Sequence, residues 1–109
     1  YPILRQTKGT IIHVNSTAGK IARDGEALYA ASKHAAAAFF RALRPQAAAD
    51  GIRILDVFAG GIKTQMMAHR PDHDKLMDPK AVAGLIYYAA TLEPATAQIE
   101  ELHLGRFSD

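Results

Sequence analysis

Tyr29 and Lys33 stand four residues apart in Tyr29-Ala30-Ala31-Ser32-Lys33, a spacing that sets both side chains on one face if the segment is helical. An ammonium beside a phenol favours the phenolate. Such a tyrosine can therefore exchange a proton with a carbonyl or an alcohol near neutral pH. Earlier in the chain, Ser16 ends the run Thr10-Ile11-Ile12-His13-Val14-Asn15-Ser16 and is placed to hold a substrate oxygen beside that phenol. A third group, Gly60-Gly61-Ile62-Lys63-Thr64, follows a second apolar run. On its own each group is weak: any helix can carry a Tyr/Lys pair, and a Gly-Gly pair is most simply a turn.

The elements that must position these groups can be read from patterning. Residues 1–6 read as the end of a helix already under way, followed by a Thr7-Lys8-Gly9 turn. Residues 10–15 are β-branched and nearly continuously apolar, which predicts a buried parallel strand. Strong helix formers fill residues 28–49, with Asp50-Gly51 as the stop. Pro45 lies within that stretch and predicts a kink or an early end, because it removes a backbone donor at a cost of about 3 kcal/mol. Residues 52–58 form a second strand. Residues 64–69 form a helical turn stopped by Arg70-Pro71. Asp78 caps a helix whose first residue is Pro79 and which runs to about Thr91, ended by Glu93-Pro94. Residues 98–104 alternate and predict a last strand. Strand, helix, strand, helix, strand implies a parallel α/β sheet with one bare apolar edge.

Ser16 at a strand end, the Tyr29/Lys33 pair opening the next helix, and the glycine loop with Thr64 after the next strand occur in the order found in the short-chain dehydrogenase/reductase family, which this chain resembles. The resemblance implies the C-terminal half of a doubly wound parallel Rossmann-type sheet. Residues 1–109 would then be the catalytic and substrate part of one NAD(P)-binding domain, with the N-terminal dinucleotide-binding half absent. It implies an NAD(P)-dependent oxidoreductase that interconverts a carbonyl and a secondary alcohol by hydride transfer, using NAD or NADP. The residues that would separate these two cofactors fall in the absent half. By resemblance, Tyr29 is the general acid/base and Ser16 polarises the carbonyl. Lys33 tunes the phenol and holds the nicotinamide ribose. Gly60, Ile62 and Thr64 line the nicotinamide, with Ile62 where the family's backbone holds the carboxamide. The family's fourth catalytic residue, an asparagine, lies on a helix before residue 1. Asn15 does not replace it, since strand alternation points it away from Ser16.

The chain departs from the family where Ala59-Gly60 stands in place of Pro-Gly, a loss of stiffness worth about 0.4–1 kcal/mol. Its last strand also lacks the family's common Gly-rich ending. In the family the segment after the glycine loop often closes over substrate. Met66, Met67, Leu76 and Met77 suit either that role, with an apolar substrate, or a short helix packed into the core.

The chain has 109 residues, 49% hydrophobic and 22% charged, with a net charge of +2. Arg41 and Arg44, Arg53, and Arg70 are spread over a helix, a strand and a turn rather than gathered in a run, so no nucleic-acid surface is expected. No apolar stretch is long enough to predict a membrane span. The absence of cysteine excludes disulfides and Cys-ligated zinc and suits the cytoplasm. No metal is expected: Pro71 breaks the register that His69 and His73, flanked by Asp72 and Asp74, would need. His13 is read as a packed residue rather than a base. The expected partners are a small-molecule carbonyl or alcohol and a second copy of the chain, as homodimer or homotetramer. Ala35, Ala36, Ala37 and Ala38 permit close helix approach. The other reading is non-enzymatic: a truncated, inactive relative that self-associates through this helix.

Overall fold

The Ile-Arg-Ile-Leu-Asp-Val-Phe run places apolar side chains on both sides of a strand, so it is stable only where both faces are covered. In the computed structural model, which describes residues 1–63, 68–92 and 97–106, this run is the central strand of the sheet. The elements are α1 (Pro2–Thr7), β1 (Thr10–Ser16), α2 (Ala27–Ala49), β2 (Arg53–Ala59), α3 (Pro79–Thr91) and β3 (Glu101–Leu104). The strand order is β1-β2-β3 and both pairings are parallel, with Ser16 beside Ala59 and Ala59 beside Leu104. The chain is therefore an α/β protein with the parallel sheet that its patterning predicts, in the Rossmann-type arrangement that the resemblance implies.

Each face of β2 has its own core. Ile52 and Ile54 pack with Ala47, Phe40 and Leu43 of α2 and with Leu4 of α1. Leu55, Val57 and Ala59 face the other way, against Ile86 and Ala89 of α3 and Leu102 and Leu104 of β3. Burying a side chain the size of Ile54, Val57 or Phe58 contributes roughly 1.5–3 kcal/mol. These contacts fix the sheet between α2 and α3.

Three expectations need correction. β1 is not a fully buried strand: on the side facing α3, Ile12 is 41% and Val14 56% exposed. α3 packs on β2 and β3 and leaves that side of β1 uncovered. Pro45 does not end α2, which continues to Ala49. Ala47 fits completely buried into the core, and the Arg44 side chain donates to the Glu100 carbonyl at 3.0 Å, so packing outweighs the lost backbone bond. β3 begins at Glu101 rather than residue 98, because its ladder with β2 starts at the Asp56–Glu101 pair. Gly51, at φ 79°, closes α2 as expected, in a backbone conformation costly for other residues. Asp78 caps α3 by accepting from the Lys80 N–H. The predicted turn over residues 64–69 lies largely outside the described residues, as does Glu93-Pro94. Among the described residues no helix is long and apolar enough to cross a membrane.

Candidate active site

Ser16 is the last residue of β1, and its hydroxyl caps the 3₁₀ turn Thr17–Gly19 by accepting the Ala18 N–H at 2.9 Å. Accepting there leaves the hydroxyl proton for a second partner. Tyr29 is the third residue of α2 and is 49% exposed. Lys33, one turn on, holds its ammonium 5.6 Å from the centre of the Tyr29 ring, within cation–π range. Ser16, Tyr29, Gly60 and Gly61 meet in the wall of an open cleft of ≈ 610 Å³ beyond the carboxyl ends of the strands. That is the end of a parallel sheet where ligands bind. Lys33 and Ile62 are not in the wall. Ile62 packs against the Leu55–Val57–Ala59 core. Thr64 lies outside the described residues, as do Met66 and Met67.

The loop after β2 lacks the stiffening proline but is tied by backbone. The Gly60 N–H donates to Leu104 at 3.0 Å, the Met77 N–H to Gly61 at 3.0 Å and the Lys63 N–H to Met77 at 2.7 Å. Leu76 is buried and Met77 joins the core, so these two follow the packed reading rather than the substrate-covering one.

Strand alternation turns the Asn15 side chain away from that of Ser16. That side chain nevertheless ties the site together: its Oδ1 accepts the Ser16 N–H at 2.8 Å and its Nδ2 donates to the Lys33 carbonyl at 3.3 Å. Gly19 permits this, since a Cβ there would lie 2.7 Å from Asn15 Oδ1. The available signal was an amide inside an otherwise apolar strand, next to a serine and four residues before a glycine.

Arg23, Arg70 and Arg106 also line the cleft, with Glu26 as the acidic member. Asp72 binds two of these arginines. Arg70 donates to it from Nε and Nη2 at 3.0 and 2.8 Å, and Arg106 from Nη1 at 3.0 Å. Burial alone would push the Asp72 carboxyl up, but hydrogen bonding to Arg70 and both positive charges hold it below the usual carboxylate range. Asp72 is thereby engaged in ion pairing, and among the described residues no group of three His, Asp or Glu side chains is arranged to hold a metal. His13 packs on Phe40 and its Nδ1 lies 2.9 Å from Asp56 Oδ1.

The donor types match what the nicotinamide-ribose end of a dinucleotide would need: a phenol and a serine hydroxyl line the cleft with two glycines, and an ammonium lies by the phenol ring outside the wall. A pyrophosphate is not served equally well. The helix that opens onto the cleft, α2, has Glu26 as its N-cap, and a carboxylate there opposes a bound phosphate.

The family model described as short chain dehydrogenase matches residues 1–75. A 3-oxoacyl-(acyl-carrier-protein) reductase of Vibrio cholerae is 27% identical, the alignment covering 94% of this chain and 47% of the relative. The corresponding enzyme of Synechocystis is 31% identical over 89% of this chain and 42% of its own. The chain thus spans about half the length of the curated relatives it matches. A short chain dehydrogenase from Burkholderia cenocepacia, solved in complex with NADP, superposes with a TM-score of 0.80 at 25% identity, covering 95% of this chain and 41% of that one. With its parallel sheet, its strand-end serine and its Tyr/Lys helix, the chain belongs to the short-chain dehydrogenase family.

Proposed function

We propose that the protein is an NAD(P)-dependent oxidoreductase that interconverts a carbonyl and a secondary alcohol, and that this chain is the C-terminal, acid/base and substrate part of its domain. The observation that carries the reading is the convergence of Ser16 and Tyr29 on one cleft at the carboxyl ends of the strands, with Lys33 one helical turn behind. When bound, the nicotinamide gives or takes the hydride. Everything else falls to side chains of this chain. Ser16 donates its proton to the substrate oxygen and fixes it beside the phenol. In the reduction direction Tyr29 delivers the proton that completes the alcohol, and in oxidation it removes that proton. A positioned acid of this kind contributes roughly 10²–10⁴-fold.

Lys33 has two tasks. Its ammonium stands beside the Tyr29 ring as the partner of the reacting phenol, and it would hydrogen-bond the ribose hydroxyls of a bound dinucleotide. Gly60, with the backbone at Ile62, would border a bound nicotinamide; Thr64, assigned there by the resemblance, lies outside the described residues. The Burkholderia relative with bound NADP and the two reductases support this assignment. The dinucleotide phosphates are held elsewhere in the protein, consistent with the acidic N-cap of α2. A homodimer or homotetramer forms through the outward face of α2, where Ala35, Ala38 and Phe39 are exposed.

The test is an assay of the intact protein with NADH and NADPH against a panel of ketones and aldehydes, and with NAD and NADP against secondary alcohols. Substrate-dependent change in nicotinamide absorbance is expected. A folded protein that binds the dinucleotide yet turns over no member of either panel would overturn the reading.

A further inference from the structure

Arg23-Asp24-Gly25-Glu26 is a β-turn. The Glu26 N–H donates to the Arg23 carbonyl at 3.2 Å, and Gly25 supplies the positive φ, 81°, that the third position of a type II turn requires. Such a turn holds the Cα atoms of its first and last residues within about 7 Å of each other. It therefore presents a cation and an anion together, and both residues line the cleft that holds Ser16 and Tyr29. The arginine lies on the Ser16 side: its Nη1 donates to the hydroxyl of Thr17, the residue after Ser16, in a long bond of 3.4 Å. The glutamate lies on the Tyr29 side, as the N-cap of α2, and its side chain makes no capping hydrogen bond.

Among the described residues these two charges form no ion pair, with each other or with a third group. A merely solvated turn explains that less well. Opposite charges at this separation attract, yet Arg23 reaches back to Thr17 and Glu26 is half-buried without a partner. Arg70 and Arg106, on the same wall, are by contrast bound to Asp72. A guanidinium has five N–H donors, of which the bond to Thr17 uses one on Arg23. We propose that the turn recognises a zwitterionic substrate, a 2-amino acid whose hydroxyl on carbon 3 is the group that Ser16 and Tyr29 engage, with its carboxylate on Arg23 and its ammonium on Glu26. The assignment rests on the oxidoreductase reading of the same cleft. A plain carboxylate or phosphate at Arg23 would meet Glu26 across the turn, whereas an amino acid brings its own ammonium to that carboxylate. Oxidation breaks the C3–H and O–H bonds of the substrate. The hydrogen of C3 passes as hydride to the oxidised nicotinamide, the hydroxyl proton goes to Tyr29, and a 3-oxo amino acid is left.

The experiment uses the intact protein and three alcohols that share the CH3–CH(OH) group. These are threonine in each of its stereoisomers, 3-hydroxybutanoate, which lacks the ammonium, and 1-aminopropan-2-ol, which lacks the carboxylate. In the first arm kcat and KM are measured with NAD and with NADP. One threonine isomer is expected to show a KM lower than either partial analogue by roughly ten- to a hundred-fold, the size of a charge-assisted hydrogen bond. Arg23→Gln should erase the preference over 1-aminopropan-2-ol, and Glu26→Gln the preference over 3-hydroxybutanoate. Arg23→Lys should be intermediate, because it keeps the charge and loses the fork. Either analogue matching threonine in KM would overturn the zwitterion site, and that comparison needs no variant.

In the second arm the same compounds are titrated into the protein saturated with NADH or NADPH, where the alcohol cannot be oxidised. Tighter binding of a threonine isomer, weakened about ten-fold or more by Arg23→Gln and by Glu26→Gln, supports the site. Equal binding of the three compounds, or none, would overturn it. So would variants that lower thermal stability and leave the preference for threonine intact, since the turn would then be structural only. If no carbonyl or alcohol is turned over at all, the oxidoreductase reading fails, and the titration still decides the zwitterion site.

Discussion

A methyl group on Gly19 would meet the Asn15 carboxamide at 2.7 Å, and that close approach lets one amide hold both the Ser16 N–H and the Lys33 carbonyl. Replacing Asn15 by Ala leaves these backbone groups without that partner in a buried place, which costs about 1–3 kcal/mol. It also frees the end of β1 from the start of α2. Asn15→Ala is expected to lower the unfolding free energy obtained from urea titration by that amount and to reduce kcat more than it raises KM. A variant with wild-type kcat would show that Ser16 and Tyr29 are positioned without it. Ser16, Tyr29 and Lys33 stand out in the sequence as candidates because their types and order match the proposed chemistry, and the fold brings Ser16 and Tyr29 to one cleft with Lys33 beside the Tyr29 ring. Asn15 does not. Strand alternation correctly turned its side chain away from that of Ser16, but an amide can still reach its neighbour's backbone and the next helix. The arginine cluster was equally hidden, since Arg23, Arg70 and Arg106 are distant in sequence and only the fold makes them neighbours.

The same limits appear among the elements. Proline rules predicted that α2 would bend or stop at Pro45, and they omit what lies on either side of it. Arg44 bonds to the Glu100 carbonyl, Ala47 fills the core, and Arg41 forms a two-pronged ion pair with Glu101 of β3 at 2.6 and 3.1 Å. Arg41 is also 5.5 Å from the centre of the Phe58 ring, which stacks on His103. Hydrogen bonding to Arg41 holds the Glu101 carboxyl below its usual range against the opposing effect of burial, and His103 adds to it. A carboxyl that is more acidic in the folded state stabilises the fold above its unfolded value, about 4.3. That stabilisation is lost as pH falls through the lower, folded value. The pair is half open to water, so its contribution is about 1 kcal/mol or less. Glu101→Gln should therefore lower stability slightly at pH 7 and flatten the loss of stability as pH falls below the ordinary carboxylate range, as followed by thermal unfolding at decreasing pH. An acid limb identical to the wild type would show that α2 and β3 are not coupled through this pair.

For the molecule as a whole, three parallel strands leave Ile12 and Val14 bare on one side of β1, while the outer face of α2 presents Leu28 and Phe39. The four alanines on which association was expected do not share one environment. Ala37 is buried against the sheet, whereas Ala35 and Ala38 are exposed. With association through this face as proposed, Ala35→Glu and Ala38→Glu should leave the intact protein folded but dissociated, and Ala37→Glu should unfold it. Sedimentation with circular dichroism separates these outcomes, and an unchanged assembly in both exposed variants would exclude this face as the contact. Strand order, crossover helices and the position of the cleft follow from patterning because each reflects a period in the chain. What covers an edge does not, because it depends on surfaces the pattern never names. Tyr29 is proposed as the proton donor and acceptor for hydride transfer in this cleft. The most direct test of that role is kcat of Tyr29→Phe in the intact protein, with dinucleotide affinity measured alongside. The change deletes the hydroxyl and keeps the ring, so kcat should fall by about 10²-fold or more while affinity for NAD or NADP stays the same. A variant that retains more than about a tenth of wild-type kcat would contradict the account.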